Sequence, residues 1–471
     1  MSIPNVLADR YASEAMVELF NPVNRVRTER RFWLAVLQAQ IENGLDVAPF
    51  VIDDYEAVIN QIDLDSIRRR EIETRHDVKA RLDEFCALAG HQDLHKGLTS
   101  RDATENVEQL LSWQALELIN SRATALVARL AELATTYSDV VIVGRTHNVP
   151  AQPTTMGKRF AQLGEELLGA LWRLDDLQHR FALRGIKGPV GSQQDQLDLL
   201  GSAEAVAAVE HSVGAHLGVP RVLQAVGQVY PRSYDFDLVT ALSQMAAAPA
   251  NFALLVRLMA GHDLATEGFK PGQVGSSAMP HKMNTRSCER ISGLATILKG
   301  HVTMAAGLSG DQWNEGDVSC SVVRRVVLPD AFFALDGLLE TTFAVVRDFG
   351  VFPAVIEAEV AKYLPFVATP TLLMHAVRRG LGRETAHELI KEHAVAAALA
   401  LREAGNAEPL LDRLAADDRF PASREELGQL VADPGSLLGL VDQQVASFVT
   451  AAGERADADP QGAAYRGAEI L

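Results

Sequence analysis

Cysteine is scarce in this 471-residue chain: Cys86, Cys288 and Cys320 are the only three. Odd in number and far apart, they form neither a disulfide framework nor a zinc-ligand spacing, so a reducing compartment, the cytoplasm, is expected. Aromatic residues are only 6%, while Ala, Leu and Val abound, a mix that suits packed helices better than a β-sandwich. No run of about 18 apolar residues stands out, so no membrane-spanning helix is expected. The opening Met1-Ser2-Ile3-Pro4-Asn5 lacks a basic stretch followed by an apolar one, so no secretory leader is expected. Positive charge is in deficit: 44 Lys and Arg against 61 Asp and Glu give a net charge of −17. That balance argues against a nucleic-acid partner, whose phosphates are met mainly by Lys and Arg. With 48% hydrophobic and 22% charged residues the chain is of ordinary globular composition, and its length allows two or three domains.

Proline is also missing where it matters. None occurs between Pro49 and Pro150 or between Pro280 and Pro329, which leaves room for long helices. From Val107 to Ala134 apolar residues recur in steps of three and four (Val107, Leu110, Leu111, Ala115, Leu118, Ile119, Ala123, Leu126, Val127, Leu130), predicting one helix. Further helices are predicted over about Gly157–Arg184, Asp235–Glu267 with a kink at Pro249, Arg286–Leu308 and Arg325–Phe349. Helices of this length must bury their stripes against one another. The fold class is therefore all-α: an N-terminal helical domain over 1–110, a central long-helix bundle over 111–365, and a C-terminal helical cap over 366–471. The stripes exceed what one chain covers, so association through the bundle is expected. The polar 453–471 tail reads as loosely attached.

Four segments do not suit a core. Residues 271–284 combine glycines, adjacent Ser276 and Ser277, then Lys282 and Asn284 ahead of a helix. By composition this reads equally as a flexible surface loop, but it packs nucleophile, base and cation candidates into a few residues. In Gly144-Arg145-Thr146-His147-Asn148 a histidine sits at a bend between two long helices, with hydroxyl and amide neighbours able to fix its tautomer. In His95-Lys96-Gly97-Leu98-Thr99-Ser100-Arg101-Asp102 the Thr-Ser pair caps a long helix whose free N–H groups attract anions. The stretch 312–325 offers Ser321 and the paired Arg324 and Arg325, suited to a phosphate. The basic run Arg68-Arg69-Arg70 reads as a solvated or subunit-contact face.

In this order, between these helices, the segments resemble the fumarase/aspartase superfamily. Gly275-Ser276-Ser277-Ala278-Met279-Pro280-His281-Lys282-Met283-Asn284 is similar to its most diagnostic loop. Within it the sequence most resembles the adenylosuccinate lyase family, through Asp9-Arg10-Tyr11, Arg75-His76-Asp77-Val78, Gly227-Gln228-Val229-Tyr230, Ser321 with Arg325, and Gly382-Arg383-Glu384-Thr385. The resemblance runs from about Asp9 to Val449. Departures are Thr285 where the family usually has proline, Gly316 where many members have arginine, and Asn148 where glycine is usual. Argininosuccinate lyases usually show Gln, and fumarases Gly, where this chain has His281. Carboxymuconate cycloisomerases also carry His there, but Arg10-Tyr11 and the Gln228 segment favour a nucleotide.

The resemblance implies β-elimination of fumarate from an N-succinyl nucleotide, with Ser276 as general base and His147 as general acid. Lys282, Asn284 and the Thr99-Ser100 helix end would meet the dianionic carboxylate that forms. Glu289 would orient or charge His147. His76, Asp77, His95, Thr146 and Gln228 would contact the substrate, while Arg10, Tyr11, Ser321 and Arg325 would hold the phosphate. No redox change occurs, so no cofactor and no metal are expected. The partners implied are a small-molecule nucleotide and three further copies of the chain, in a homotetramer whose sites are shared between subunits. Joint retention of Ser276, Lys282, Asn284 and His147 argues against a non-catalytic structural relative.

Overall fold

The computed structural model describes residues 4–219, 221–268, 278–279, 281–405 and 409–468. Six helices open the chain: α1 (Val6–Arg10), α2 (Glu14–Phe20), α3 (Pro22–Glu42), α4 (Phe50–Val58), α5 (Leu64–Thr74) and α6 (Asp77–Ala89). The longest, α7 (Ser100–Thr136), leads into the hairpin β1 (Val141–Thr146) and β2 (Val149–Thr155), then α8 (Met156–Arg180), α9 (Gln194–Leu200) and α10 (Ala203–His216). The bundle is completed by α11 (Ser233–Met245), α12 (Ala247–Ala260), α13 (Arg286–Leu308) and α14 (Ser319–Asp348). The short strands β3 (Ala265–Thr266) and β4 (Gly350–Val351) pair antiparallel at its end. Six more helices follow: α15 (Pro353–Val367), α16 (Thr369–Arg378), α17 (Arg383–Ala404), α18 (Leu410–Ala415), α19 (Arg424–Leu430) and α20 (Val441–Ala458), with α21 (Pro460–Ala463) closing the list.

The all-α expectation holds, with local corrections. The helix expected over Asp235–Glu267 is two helices that break at Ala246, and Pro249 is the third residue of α12. In a first turn the proline withholds no hydrogen bond the helix needs. The helix expected to reach Arg184 ends at Arg180, with Phe181 extended. His147 is at the tip of a β-hairpin, not a bend between helices; Val141 pairs with Thr155 and Thr146 with Val149. Ser233–Ala260 carries an 18-residue window of mean hydropathy 1.4, long and apolar enough on average to cross a membrane, although Ser243, Gln244, Asn251 and Arg257 interrupt any continuous apolar run. Its Leu238, Val239, Leu242, Phe252 and Val256 are buried in the core of the bundle.

The tail is anchored rather than loose. The ring of Tyr465 lies under the Arg122 guanidinium, 3.1 Å from ring centroid to Cζ, and its hydroxyl donates to Glu340 Oε1 at 2.8 Å. The Ala468 N–H donates to Glu340 Oε2 at 2.7 Å. The expectation rested on polarity, but a few specific bonds to a buried carboxylate hold this segment.

The three largest of five apolar clusters organise the described residues. One joins α3, α4, α6, α10 and the start of α7; the main one runs through α7, α8, α11–α14 and α20; a third lies within 368–431. The bundle has two ends. Arg101, in the first turn of α7, donates to Ser321 Oγ near the start of α14 at 2.9 Å. At the other end the Tyr137 hydroxyl donates to the Phe349 carbonyl at 3.4 Å. The start of α13 belongs to this second end: Glu267 accepts from the Ser287 and Cys288 N–H groups at 3.0 and 2.9 Å, and Gly268 abuts Asp348.

Candidate active site

At the first end, Thr99 is the N-cap of α7 and its N–H donates to Asp102 Oδ2 at 2.7 Å. A carboxylate in a first turn satisfies free N–H groups and the helix dipole together. Ser100 follows at the helix start, and Arg101 bridges to Ser321. Four residues beyond Ser321, Arg325 is 64% exposed and 3.8 Å from Asp77 Oδ2. Burial works against the Asp77 carboxylate, but Arg81 beside it and the Val78 N–H hold its pKa below the usual value. His76 caps α6, its Nδ1 accepting from the Lys79 N–H at 3.2 Å.

His95 stands in a left-handed conformation (φ +66°) before α7. Its Nδ1 accepts from Trp33 Nε1 at 3.2 Å. An indole can only donate, so the proton of a neutral His95 is on Nε2. Burial lowers its pKa, which favours the neutral ring, and Asp102 partly opposes this. The Gln228 N–H donates to the Glu315 carbonyl at 2.8 Å, joining that segment to the loop before Ser321. A Cβ on Gly316 would lie 3.0 Å from Val229 Cγ2 and 3.3 Å from Gln228 Cβ, so the glycine lets the loop close on this segment. His76, Asp77, His95, Thr99, Ser100, Gln228, Ser321 and Arg325 thus share one end of the molecule. Arg324 does not pair with Arg325 toward a phosphate as expected. It is buried against Asp235, Glu105 and Glu108, at 2.7, 3.3 and 2.6 Å.

Lys282, Asn284 and Glu289 belong to the second end, on the approach to α13 and its first turn. Lys282 and Glu289 are exposed. Ser276 lies outside the described residues. Tyr11 packs its main chain on Gly337 of α14, where an added Cβ would come within 2.7 Å, and the Arg290 guanidinium is 5.6 Å from its ring centroid. Arg10, beside it, is exposed. Gly337 is 12 residues beyond Arg325, about 18 Å along α14 at 1.5 Å per residue. Within one chain, therefore, the two groups expected to share the phosphate are apart.

Thr146 and His147 form a third group at the hairpin tip. His147 is exposed, and both it and Asn148 have positive φ, +53° and +61°. Arg145 braces the turn by an ion pair to Glu359 and a 3.3 Å bond to the Asn148 carbonyl. Among the described residues no bond joins Glu289 to His147. The hairpin leaves the C-terminal end of α7, about 55 Å from Ser100 along a 37-residue helix.

Sequence reasoning missed Asp102, Arg184 and Arg290. The Thr-Ser-Arg-Asp order is a capping pattern that points to Asp102. Arg184 and Arg290 carry no local signal, because their partners are distant in sequence.

Comparison with known proteins identifies the family. A family model described as "Lyase" matches residues 15–300, and one described as "Adenylosuccinate lyase C-terminus" matches 365–448. The adenylosuccinate lyase of Saccharomyces cerevisiae is 34% identical over 450 residues, 94% of this chain and 93% of the relative. That of Schistosoma mansoni is 32% identical, covering 94% of each. Among solved structures, 3-carboxy-cis,cis-muconate lactonizing enzyme from Pseudomonas putida superposes with a TM-score of 0.82 over 96% of this chain and 100% of its own, at 23% identity, a likeness of fold. With the lyase match spanning more than half its length and curated relatives above 30% identity along nearly all of it, the chain belongs to the adenylosuccinate lyase family.

Proposed function

We propose that this chain, as a carbon–nitrogen lyase, cleaves adenylosuccinate to AMP and fumarate, and succinylaminoimidazole carboxamide ribotide to AICAR and fumarate. The observation that carries the reading is the clustering of Thr99, Ser100, His76, His95, Gln228, Ser321 and Arg325 at one end of a fold of this family.

The reaction removes a proton from a carbon beside a carboxylate. Ser276 takes that proton, the C–H pair becomes the new C=C bond, and the C–N bond breaks with its pair going to nitrogen. His147 gives the departing amine a proton. A serine hydroxyl is too weak a base unaided, so the Lys282 cation stabilises its alkoxide. The carbanion is held as a dianionic carboxylate by donors from Lys282, Asn284 and the α7 N-terminus, where Thr99 and Ser100 stand. Glu289 orients or charges His147. Arg325, Ser321, Arg10 and Tyr11 hold the phosphate, while His76, Asp77, His95, Thr146 and Gln228 line the remainder.

The described members of this set lie in three places in one chain, which supports a complete site drawn from several subunits of a cytoplasmic homotetramer. Exposed apolar residues on the bundle support such packing: Leu254 and Leu258 on α12, Ile297 and Met304 on α13, Val322 and Val326 on α14. The division into 1–110, 111–365 and 366–471 belongs to the same proposal; the apolar cluster within 368–431 supports the cap, while α20 packs into the cluster of the bundle and α10 into that of the N-terminal helices. The test is absorbance change with adenylosuccinate against argininosuccinate. Turnover of the first alone is expected; turnover of argininosuccinate, or of neither, overturns the assignment.

A further inference from the structure

Beneath the Thr99-Ser100 helix end lies an ion pair with no solvent exposure on either side chain: Arg184 with Asp102. Asp102 uses both oxygens. Oδ2 accepts from the Thr99 N–H at 2.7 Å, and Oδ1 accepts from Arg184 and from the Lys187 and Gly188 N–H groups at 2.9 and 3.1 Å. Arg184 Nη2 donates to the Gly188 and Gly227 carbonyls at 2.9 and 3.0 Å. One guanidinium and one carboxylate therefore join three segments that are remote in sequence, around Thr99, 185–188 and Gly227. The residue after Gly227 is Gln228, and its N–H is bonded to Glu315 ahead of Ser321.

A buried ion pair is weak evidence for stability, since an apolar pair of similar volume often serves as well. What an apolar pair cannot do is hold the Thr99, Lys187 and Gly188 N–H groups and the Gly188 and Gly227 carbonyls at fixed separations. The carboxylate accepts from the N–H groups, and the planar, forked guanidinium spans the two carbonyls as a lysine ammonium does not. The bonds end on the main chain immediately beside Ser100 and Gln228.

We propose that Arg184 and Asp102 are positioning residues for substrate binding, setting the spacing between the Thr99-Ser100 helix end and the Gly227-Gln228 segment. This rests on the reading of Ser100 and Gln228 as substrate contacts. Neither Arg184 nor Asp102 touches substrate; both act through the main chain. Because a displacement of about 1 Å can cost about 100-fold in rate, loosening this spacing affects both KM and kcat.

The experiment measures KM and kcat for adenylosuccinate in Arg184→Lys, Asp102→Asn, Ser100→Ala, Gln228→Ala and the Asp102→Asn/Ser100→Ala double variant. KM does not depend on how much of a preparation is folded, so partial misfolding leaves the readout intact. In Asp102→Asn the amide oxygen faces the three donors and the Thr99 bond is lost. Arg184→Lys and Asp102→Asn are each expected to raise KM about tenfold. The double variant is expected to raise it no further than Ser100→Ala alone, since Asp102 acts through that helix end. Wild-type KM in Arg184→Lys and Asp102→Asn, with raised KM in Ser100→Ala and Gln228→Ala, overturns the positioning role alone. Unchanged KM in Ser100→Ala and Gln228→Ala overturns the contact reading on which it rests. Fully additive effects in the double variant assign Asp102 a purely structural part and overturn the proposal.

Discussion

His147 and Asn148 occupy the two central positions of a two-residue hairpin turn, both with positive φ. That is the turn in which glycine or asparagine is favoured, because its twist matches the flanking strands. Asn148 therefore suits the position where the family usually has glycine. Asn148→Gly is expected to keep both activity and melting temperature close to wild type. Asn148→Val, a β-branched residue in a left-handed conformation, is expected to cost about 1–2 kcal/mol and to lower kcat by displacing His147. Calorimetry and steady-state kinetics check both; a valine variant as active and stable as wild type contradicts the turn assignment. Asp336, fully buried on α14, accepts from the Ser13 N–H at 2.5 Å. Burial, helped by nearby Glu340, pushes its pKa up to about 7 from 3.8, against the pull of Ser13 and Arg122. Between those values the folded chain binds more protons than the unfolded one, so stability falls as pH rises from about 4 to 7. Asp336→Asn keeps the Ser13 bond and lacks that loss. Its melting temperature is expected to gain on wild type by a few degrees at pH 8 relative to pH 5. An equal difference at both pH values contradicts the burial argument.

At the scale of elements, apolar spacing located the long helices but not every start: α13 begins at Arg286 as expected, whereas α14 begins at Ser319 and not at Arg325. The apolar stripe of α7 begins only at Val107, because its first turns bury Asp102, Glu105 and Asn106; the Thr99-Ser100 capping signal is what located its start. Those polar groups face inward toward Arg184, Arg232, Arg324 and Gly185, and a hydrophobic count cannot register buried charge. The hairpin was legible in part. Pro150 and Pro153 excluded a helix, and the β-branched Val141-Ile142-Val143 run was the strand signal left unused. The tail shows the converse error, since a polar composition hid the contacts of Tyr465 with Arg122 and Glu340. Tyr465→Ala removes a ring and a bond to a buried carboxylate, and is expected to destabilise the chain by about 1–3 kcal/mol in denaturant unfolding. A midpoint identical to wild type returns the tail to the status of a loose end.

For the whole molecule, motif residues were legible one by one while their arrangement was not. Spacing along the chain cannot tell which end of a helix meets which partner. The structure gathers His76, His95, Ser100, Gln228, Ser321 and Arg325 at one end of the bundle and sets the His147 hairpin and the Lys282–Glu289 stretch toward the other. With a net charge of −17, the chain repels an anionic nucleotide except where local cations prevail. Screening beyond about 8–10 Å makes that local balance decisive. The proposed sharing of the site between subunits would bring such cations together.

Subunit complementation tests this account most directly. His147→Ala and Ser276→Ala are each expected to lower kcat by about 10²–10⁴, the usual contribution of a general acid or base, with an unchanged circular dichroism spectrum. The two inactive proteins are then dissociated, mixed, reassociated and assayed for fumarate release. Recovery of activity well above either parent is predicted, because some mixed sites receive an intact His147 from one chain and an intact Ser276 from another. Mixed tetramers that form normally and remain as inactive as their parents contradict the shared site.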